Sequence, residues 1–167
     1  MLSKKMEEAL NRQIESESMS SQLYLAMASW ADTQGFSGSA KFLYTHSDEE
    51  RQHMLKLFQY VNERSGHGVV AALKQPPKSF SSLPDIFHQI LKHEITVSSE
   101  INKLVDLSLN EKDYTTNNFL QWYVSEQVEE ERLAKTIVDK LNLIGNDKGG
   151  LYMFDRDLGN LPAGGGK

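Results

Sequence analysis

Cysteine is missing from this sequence. None of its 167 residues is a cysteine, so the chain has no disulfide bond, no thiolate metal site and no thiol nucleophile. Thiol-free chains fit a reducing compartment, because disulfides are concentrated in oxidising ones. We therefore expect the protein in the cytoplasm.

Long apolar runs and basic clusters are also missing. The longest nearly apolar stretch, YLAMASWA at 24–31, is far too short to span a bilayer. The N-terminal MLSKKMEEALNRQ lacks the apolar core and cleavage site of a secretory signal. The net charge is −5 and no run of lysine and arginine offsets it, which argues against nucleic acid as a partner. We expect neither a membrane nor a nucleic-acid partner, whereas cations would suit this charge.

Helical periodicity dominates what is present. Hydrophobic residues make up 39% and charged residues 25%, the balance of one soluble globular domain. Capping residues and glycine stops delimit the patterns. The sequence predicts four long helices: from about Ser3 to Thr33, from after Ser37 to about Arg64, from after Ser82 to near Asn110, and from after Asp113 to Ile144.

The connections between these helices predict the topology. The links around GFSG and NEKD are short, which makes helices one and two, and helices three and four, antiparallel neighbours. The segment GHGVVAALKQPPKSFSS is long enough to run the length of a helix, about 42 Å at about 1.5 Å per residue. We therefore predict an all-α four-helix bundle with one long crossover.

A short fifth helix is predicted near the C-terminus. GLYMFDRDLGNL places four apolar residues at helical spacing, namely Leu151, Phe154, Leu158 and Leu161. Such a short helix needs a surface to pack on, and a neighbouring subunit is one candidate for that surface. The bundle then forms a single domain over residues 1–161, and 162–167 form a disordered Gly-rich tail.

Carboxylates interrupt the inward apolar stripe of every long helix. In THSDEERQHMLK (45–56), Glu50 and His53 lie on the stripe that also carries Leu43 and Leu57. The other three stripes carry Glu17, Glu94 and Glu130. A lone glutamate on a helix usually faces solvent, but four that meet at mid-bundle would repel one another, at a high desolvation cost. Two divalent cations would balance the four charges, and oxygen ligands with one imidazole suit iron or manganese, with zinc as a competitor.

Four segments resemble the bacterial non-haem ferritins, the H-type iron-storage proteins. They are EEALNRQIESESMSSQLYLAMA, HSDEERQHM, LKHE (91–94) and FLQWYVSEQVEEE (119–131), and the similarity runs from about Leu2 to Leu161. The resemblance implies a ferritin-like bundle and ferroxidase activity. Members of the family assemble into hollow shells of 24 subunits, oxidise Fe(II) with dioxygen or hydrogen peroxide, and store it as a ferric oxyhydroxide mineral.

The resemblance also implies roles for individual residues. A first iron site would comprise Glu17, Glu50 and His53, with Glu50 bridging to a second site completed by Glu94 and Glu130. Gln127 would be a hydrogen-bond partner of the second site. Tyr24 would lie beside the two irons, as a hydrogen-bond donor to a ligand or as a redox-active phenol. A third iron site would comprise Glu49, Glu126, Glu129 and the shared Glu130.

The residues themselves leave some of these roles open. Glu126, Glu129 and Glu130 are helical neighbours whose repulsion a cation would relieve, but the alternative is a solvated acidic face. For Tyr24 and Trp122, the alternative is aromatic packing in the core. His46 lies on the inward stripe without an evident acidic partner, so we assign it a structural role. We expect the other histidines outside the proposed centre to lie on the surface, namely His67, His88 and His93.

Differences between this sequence and related protein families reduce the number of possible functions. Di-iron carboxylate enzymes of this type carry a second Glu-x-x-His, but residues 127–130 offer no second imidazole. We therefore expect the second site to bind iron more weakly than it does in those enzymes, so that iron passes through the site as substrate. Arg51 follows Glu50 where bacterioferritins carry a haem-binding methionine, so we expect no haem.

Two alternative functions remain: a small di-iron oxidase or peroxidase acting on an organic substrate or on peroxide, and a shell subunit that stores iron without oxidising it.

Overall fold

The computed structural model describes residues 1–161, and the predicted tail at 162–167 lies outside this range. Within it the chain is all-helical and has no strand. The helices are α1 (Lys4–Thr33), α2 (Ser37–Glu63), α3 (Leu83–Asn110), α4 (Tyr114–Ile144) and α5 (Lys148–Gly159). This confirms the predicted fold class. None of these helices combines the length and the apolar character needed to cross a bilayer.

The helix ends follow the capping signals in the sequence. Ser3 and Ser82 precede α1 and α3, and each side chain accepts a hydrogen bond from the backbone amide three residues ahead, at 3.0 and 3.2 Å. Asp113 caps α4 in the same way, at 3.0 Å. Gly145 ends α4 with a φ of 60°, which glycine adopts without strain. For the four long helices, every predicted boundary lies within one residue of the observed boundary.

The core consists of two apolar clusters separated along the bundle. One packs around Phe87 and Leu141, and the other around Leu10 and Tyr123. In each of the four long helices, residues near one end belong to one cluster and residues near the other end belong to the other cluster. The order of the two clusters reverses from α1 to α2 and from α3 to α4, so both pairs are antiparallel as predicted. The residues between the clusters form one level of the bundle, and the polar positions of all four stripes lie there.

The crossover, residues 64–82, joins the end of α2 to the start of α3. It runs along the outer side of α1, where Asn11 donates to the His67 carbonyl at 3.0 Å and accepts from the Val69 amide at 2.8 Å. Glu7 accepts from the His67 amide at 2.9 Å. These bonds satisfy backbone groups of a segment that has no secondary structure.

The fifth helix packs within its own chain, on the start of α2. Helix α2 begins without a side-chain cap of its own. Asp155 of α5 supplies one, accepting from the Gly38 amide at 3.0 Å and from the amide and hydroxyl of Ser39, both at 2.7 Å. Phe154 also meets Phe87 edge-on at 6.0 Å. Apolar spacing predicted the helix, but a cap supplied from a distant part of the chain leaves no sequence pattern.

Candidate metal centre

The polar level between the two apolar clusters is buried. Glu17 and Glu94 are each 2% exposed, Glu50 is 4% exposed and His53 is 7% exposed. These side chains come from α1, α2 and α3. Isolated charges at such depth are very costly, so the level requires pairing, protonation or a cation.

Glu17, Glu50 and His53 form a compact group. One ligand atom from each lies within 4.8 Å of the other two. His53 Nδ1 is 3.6 Å from a Glu50 oxygen and 4.0 Å from a Glu17 oxygen. These separations are too long for hydrogen bonds, but they suit atoms that share one metal ion at about 2.1 Å from each. The structure thus brings together the three residues to which the resemblance gives the first iron site.

The electrostatics of this group favour a bound cation. Burial and the charge of Glu50 raise the pKa of Glu17 well above its ordinary value. Burial and the charge of Glu94 raise the pKa of Glu50 in the same way. A divalent cation would reverse both effects, because it stabilises the ionised carboxylates.

Glu94 is held from two sides. Tyr24 is fully buried, and its hydroxyl donates a hydrogen bond to one Glu94 oxygen. Gln127 donates to the other oxygen at 3.1 Å. Burial, with the charges of Glu130 and Glu17, nevertheless raises the pKa of Glu94 to about 7. Its charge also acts on Glu50, so Glu94 lies beside the first group, although it is not one of its members.

A second group contains His46, Glu49 and Glu130, whose ligand atoms also lie within 4.8 Å of one another. His46 Nδ1 is 3.5 Å from Glu49, and Nε2 is 3.6 Å from Glu130. Burial lowers the pKa of His46, but Glu130 and Glu49 outweigh it and raise the value overall. The expectation that His46 lacks an acidic partner is therefore wrong. Its partners come from the next turn and from α4, so one stripe viewed alone did not reveal them.

Glu49 carries an unsatisfied atom. Its Oε1 is buried and is the one such side-chain atom without a hydrogen-bond partner among residues 1–161. Burial raises the pKa of Glu49, while the nearby His46 lowers it. An unpaired buried carboxylate oxygen costs free energy that a bound cation would recover.

The remaining members of the predicted third site lie elsewhere. Glu126 is half-buried, and one of its oxygens lies 3.9 Å from His53 Nε2. Glu129 is exposed. Neither belongs to the two compact groups in the described part of the chain. The structure therefore joins Glu49 to Glu130 through His46, and it leaves Glu126 and Glu129 outside that group.

The other aromatic and histidine predictions have mixed outcomes. Trp122 packs edge-on against His53 at 5.2 Å, and the Lys56 ammonium lies 4.1 Å over its ring. His67 and His88 are exposed, as predicted. The prediction of a surface position for His93 is wrong, because its side chain is half-buried and forms a 2.6 Å hydrogen bond with Ser20.

Gln13 is a contributor that sequence reasoning missed. It lies one turn before Glu17 on the inward stripe of α1, and it donates to a Glu17 oxygen at 2.8 Å. It is 3% exposed, so it serves the centre and not the surface. A buried amide on the same stripe as a carboxylate was a usable signal, as Gln127 was on α4.

Comparisons with known proteins agree with this geometry. Residues 7–144 match the family model of the ferritin-like domain. The chain is 49% identical to a probable bacterial non-heme ferritin-like protein of Haemophilus influenzae, over 96% of this chain and 98% of that protein. It is 45% identical to the bacterial non-heme ferritin of Campylobacter jejuni, over 96% of both.

Solved structures show the same likeness. An open pore ferritin from the archaeon Archaeoglobus fulgidus superimposes with a TM-score of 0.95 at 44% identity, and the match covers 97% of this chain and all of that one. The likeness includes the fifth helix, since it extends over nearly the whole chain. On the strength of its buried carboxylate level, its four-helix bundle and these similarities, the chain belongs to the ferritin family of iron-storage proteins.

Proposed function

We propose that this protein oxidises Fe(II) at a dinuclear centre inside each chain and stores the product as a ferric oxyhydroxide mineral. The supporting observation is the buried level that holds Glu17, Glu50, His53 and Glu94. Their nearest charged neighbours are other carboxylates and an imidazole, and the pKa values of the three carboxylates are raised. A site of this kind is stable with its carboxylates ionised when divalent cations occupy it.

The two irons divide the ligands between them. Glu17 and His53 bind the first, Glu94 and Glu130 bind the second, and Glu50 bridges the two. Each Fe(II) gives one electron, so the pair supplies the two electrons that convert dioxygen and two protons to hydrogen peroxide. Hydrogen peroxide could instead serve as the oxidant, taking two electrons and two protons to give water.

Tyr24 and Gln127 keep the second site in position. Both donate to Glu94, and this leaves the remaining lone pairs of the carboxylate for metal. Tyr24 would also be able to pass one electron from its phenol to the oxidant and its proton to Glu94, and a further Fe(II) would then return the electron to the phenol. The second site has no imidazole, so iron leaves it after oxidation and acts as substrate, not as a resident cofactor.

A third cation site lies beside the dinuclear centre. The resemblance assigns four residues to it, Glu49, Glu126, Glu129 and Glu130. We add His46 as a nitrogen ligand, because its ring nitrogens lie 3.5 Å from Glu49 and 3.6 Å from Glu130. The unpaired Oε1 of Glu49 supports a cation at this position. Iron bound there can take the place of iron that has left the dinuclear centre.

Storage requires an assembly. The relatives are ferritins by name, one of them an open pore ferritin, and the likeness supports a hollow homo-oligomeric shell, which we take to contain 24 subunits. We place this shell in the cytoplasm and expect it to contain no haem. Carboxylates that line the cavity of such a shell would then supply nucleation points for the mineral.

The test is aerobic addition of Fe(II) to metal-free protein, followed by the ferric absorbance in the near ultraviolet. Wild type is compared with Glu50→Ala and with Glu63→Ala, an exposed glutamate on the same helix. Gel filtration of the product measures the size of the particle and its iron content. We expect rapid oxidation that saturates at two or three irons per chain, followed by slower loading of a large particle.

Each outcome separates the candidate functions. Rapid oxidation lost in Glu50→Ala but retained in Glu63→Ala supports the proposal. Oxidation no faster than in buffer would leave a storage subunit without ferroxidase activity. A small particle that binds two irons and then stops would instead indicate a di-iron enzyme.

A further inference from the structure

Two consecutive serines, Ser20 and Ser21, lie on α1 between Glu17 and Tyr24. Ser20 is fully buried and Ser21 is 7% exposed. Neither hydroxyl belongs to the metal groups described above. Buried hydroxyls need partners, and those of this pair lie on two different helices.

Ser21 fastens α1 to α2. Its hydroxyl donates to the Ser47 carbonyl at 2.7 Å, and the Ser47 hydroxyl donates back to the Ser21 carbonyl at 2.8 Å. The exchange is reciprocal, and both side chains are buried. The two helices must approach closely here, because each hydroxyl reaches the backbone of the opposite helix.

Ser20 fastens α1 to α3. Its hydroxyl is 2.6 Å from His93 Nε2 and 3.1 Å from the carbonyl of Ser16. If the hydroxyl proton is donated to the Ser16 carbonyl, His93 donates Nε2–H, and if it is donated to His93, the imidazole accepts. The His93 contact is a hydrogen bond in both cases. The ring of His93 also meets the ring of Tyr24 edge-on, with centroids 6.0 Å apart.

These contacts lie one turn from the metal ligands. Glu17 precedes Ser21 by four residues, and Glu50 follows Ser47 by three, so in antiparallel helices both displacements point the same way along the bundle. Glu17 and Glu50 therefore meet about one turn from the serine exchange. At the contact between α1 and α3, His93 immediately precedes Glu94, the carboxylate to which Tyr24 donates.

An axial shift of α1 would break all of these bonds together. Each hydroxyl left without a partner in the core would cost free energy, so the observed register is favoured over its neighbours. Apolar packing also favours this register, but apolar contacts tolerate small displacements that hydrogen bonds do not. Metal ligands need placement within about half an ångström, so register at this level matters more than elsewhere.

We propose that Ser20 and Ser21, through His93 and Ser47, are positioning residues that set Glu17 and Tyr24 on α1 against Glu50 on α2 and Glu94 on α3. This inference rests on the proposed metal centre and deepens it. The four side chains do not touch the metal in this account. They fix the distances between carboxylates that belong to different helices.

The test uses anaerobic Co(II) titration of the metal-free protein, followed by the d–d absorption bands, which report coordination number. The double variant Ser21→Ala with Ser47→Ala removes both donors of the exchange and leaves no unpaired hydroxyl. Ser20→Ala removes the partner of His93. Ser108→Ala is the matched control. Ser108 is fully buried on α3, and its hydroxyl donates to the Val105 carbonyl of its own helix at 2.7 Å and accepts a longer bond from Asn117 of α4 at 3.4 Å, in the apolar cluster away from the metal groups. Glu50→Ala tests the metal centre itself, and urea denaturation measures the stability of every variant.

We expect the double variant to weaken the first Co(II) about tenfold and to change the intensity of its d–d bands, as outer contacts of metal sites do. Ser20→Ala should weaken the second Co(II) more than the first. The Ser108→Ala spectrum and affinity should match the wild type. Unchanged affinities and bands in both serine variants, or equal losses in Ser108→Ala, would overturn the inference while Glu50→Ala still abolishes binding. Unaltered binding in Glu50→Ala would instead overturn the metal centre, and the inference with it.

Discussion

Replacing Glu94 with glutamine should stabilise the metal-free protein while it impairs the metal centre. Burial, with the charges of Glu130 and Glu17, raises the pKa of Glu94 from its ordinary 4.5 to about 7. The folded state therefore binds a proton more tightly than the unfolded state does. The stability that this proton provides is complete below pH 4.5 and is lost as the pH rises through about 7.

The magnitude follows from this difference in pKa. At pH 7 the charge at Glu94 costs about 3 kcal/mol relative to an unperturbed carboxyl group. Glutamine avoids that cost but cannot accept from both Tyr24 and Gln127, and one lost hydrogen bond costs about 1 kcal/mol. We expect Glu94→Gln to raise the free energy of unfolding by about 2 kcal/mol at pH 7. The gain should shrink almost to nothing at pH 5, where the folded carboxyl group is already neutral.

The assay is urea denaturation in the presence of a chelator at pH 5, 6, 7 and 8, with the protein concentration held constant. Glu63→Gln, on an exposed part of α2, is the control for the change of side-chain type. Adding Zn(II) should reverse the order of stability at pH 7, because the wild type gains binding free energy that the variant lacks. A variant less stable than the wild type at pH 7, or a difference independent of pH, would show that the charge of Glu94 does not destabilise the metal-free fold.

Two further predictions concern α5 and the second metal group. Asp155→Ala removes three hydrogen bonds at the start of α2 and should lower the free energy of unfolding by about 2 to 3 kcal/mol, measured by urea denaturation. The exposed Asp157→Ala should have little effect, and equal losses in the two variants would contradict the capping role. His46→Gln should weaken the third Zn(II) in a calorimetric titration by at least about tenfold and spare the first. A third affinity identical to that of the wild type would exclude His46 as a ligand.

Most of the fold was predictable because its signals are local. Ser3, Ser82 and Asp113 cap the helices that follow them, and glycine ends α4. Short links determine which helices are antiparallel neighbours. The packing of α5 was not predictable, because Asp155 caps a helix that begins more than a hundred residues earlier. No local sequence pattern predicts such a contact.

The metal centre was predictable where its ligands interrupt an apolar stripe. Glu17, Glu50 and His53 each lie at stripe positions, and the structure brings them together. Glu49 lies just off the stripe of α2, and its approach to His46 and Glu130 depends on how α2 and α4 are rotated. Periodicity gives the inward face of a helix but not its rotation against a neighbour. For the same reason the sequence missed the half-buried His93.

Anomalous diffraction from crystals loaded anaerobically with Fe(II) would test the metal centre most directly. We expect two peaks within bonding distance of Glu50, one shared with Glu17 and His53 and the other with Glu94 and Glu130. A weaker third peak should lie between His46 and Glu49. Iron peaks confined to exposed carboxylates, with none within bonding distance of Glu50, would show that the buried carboxylates are not an iron site.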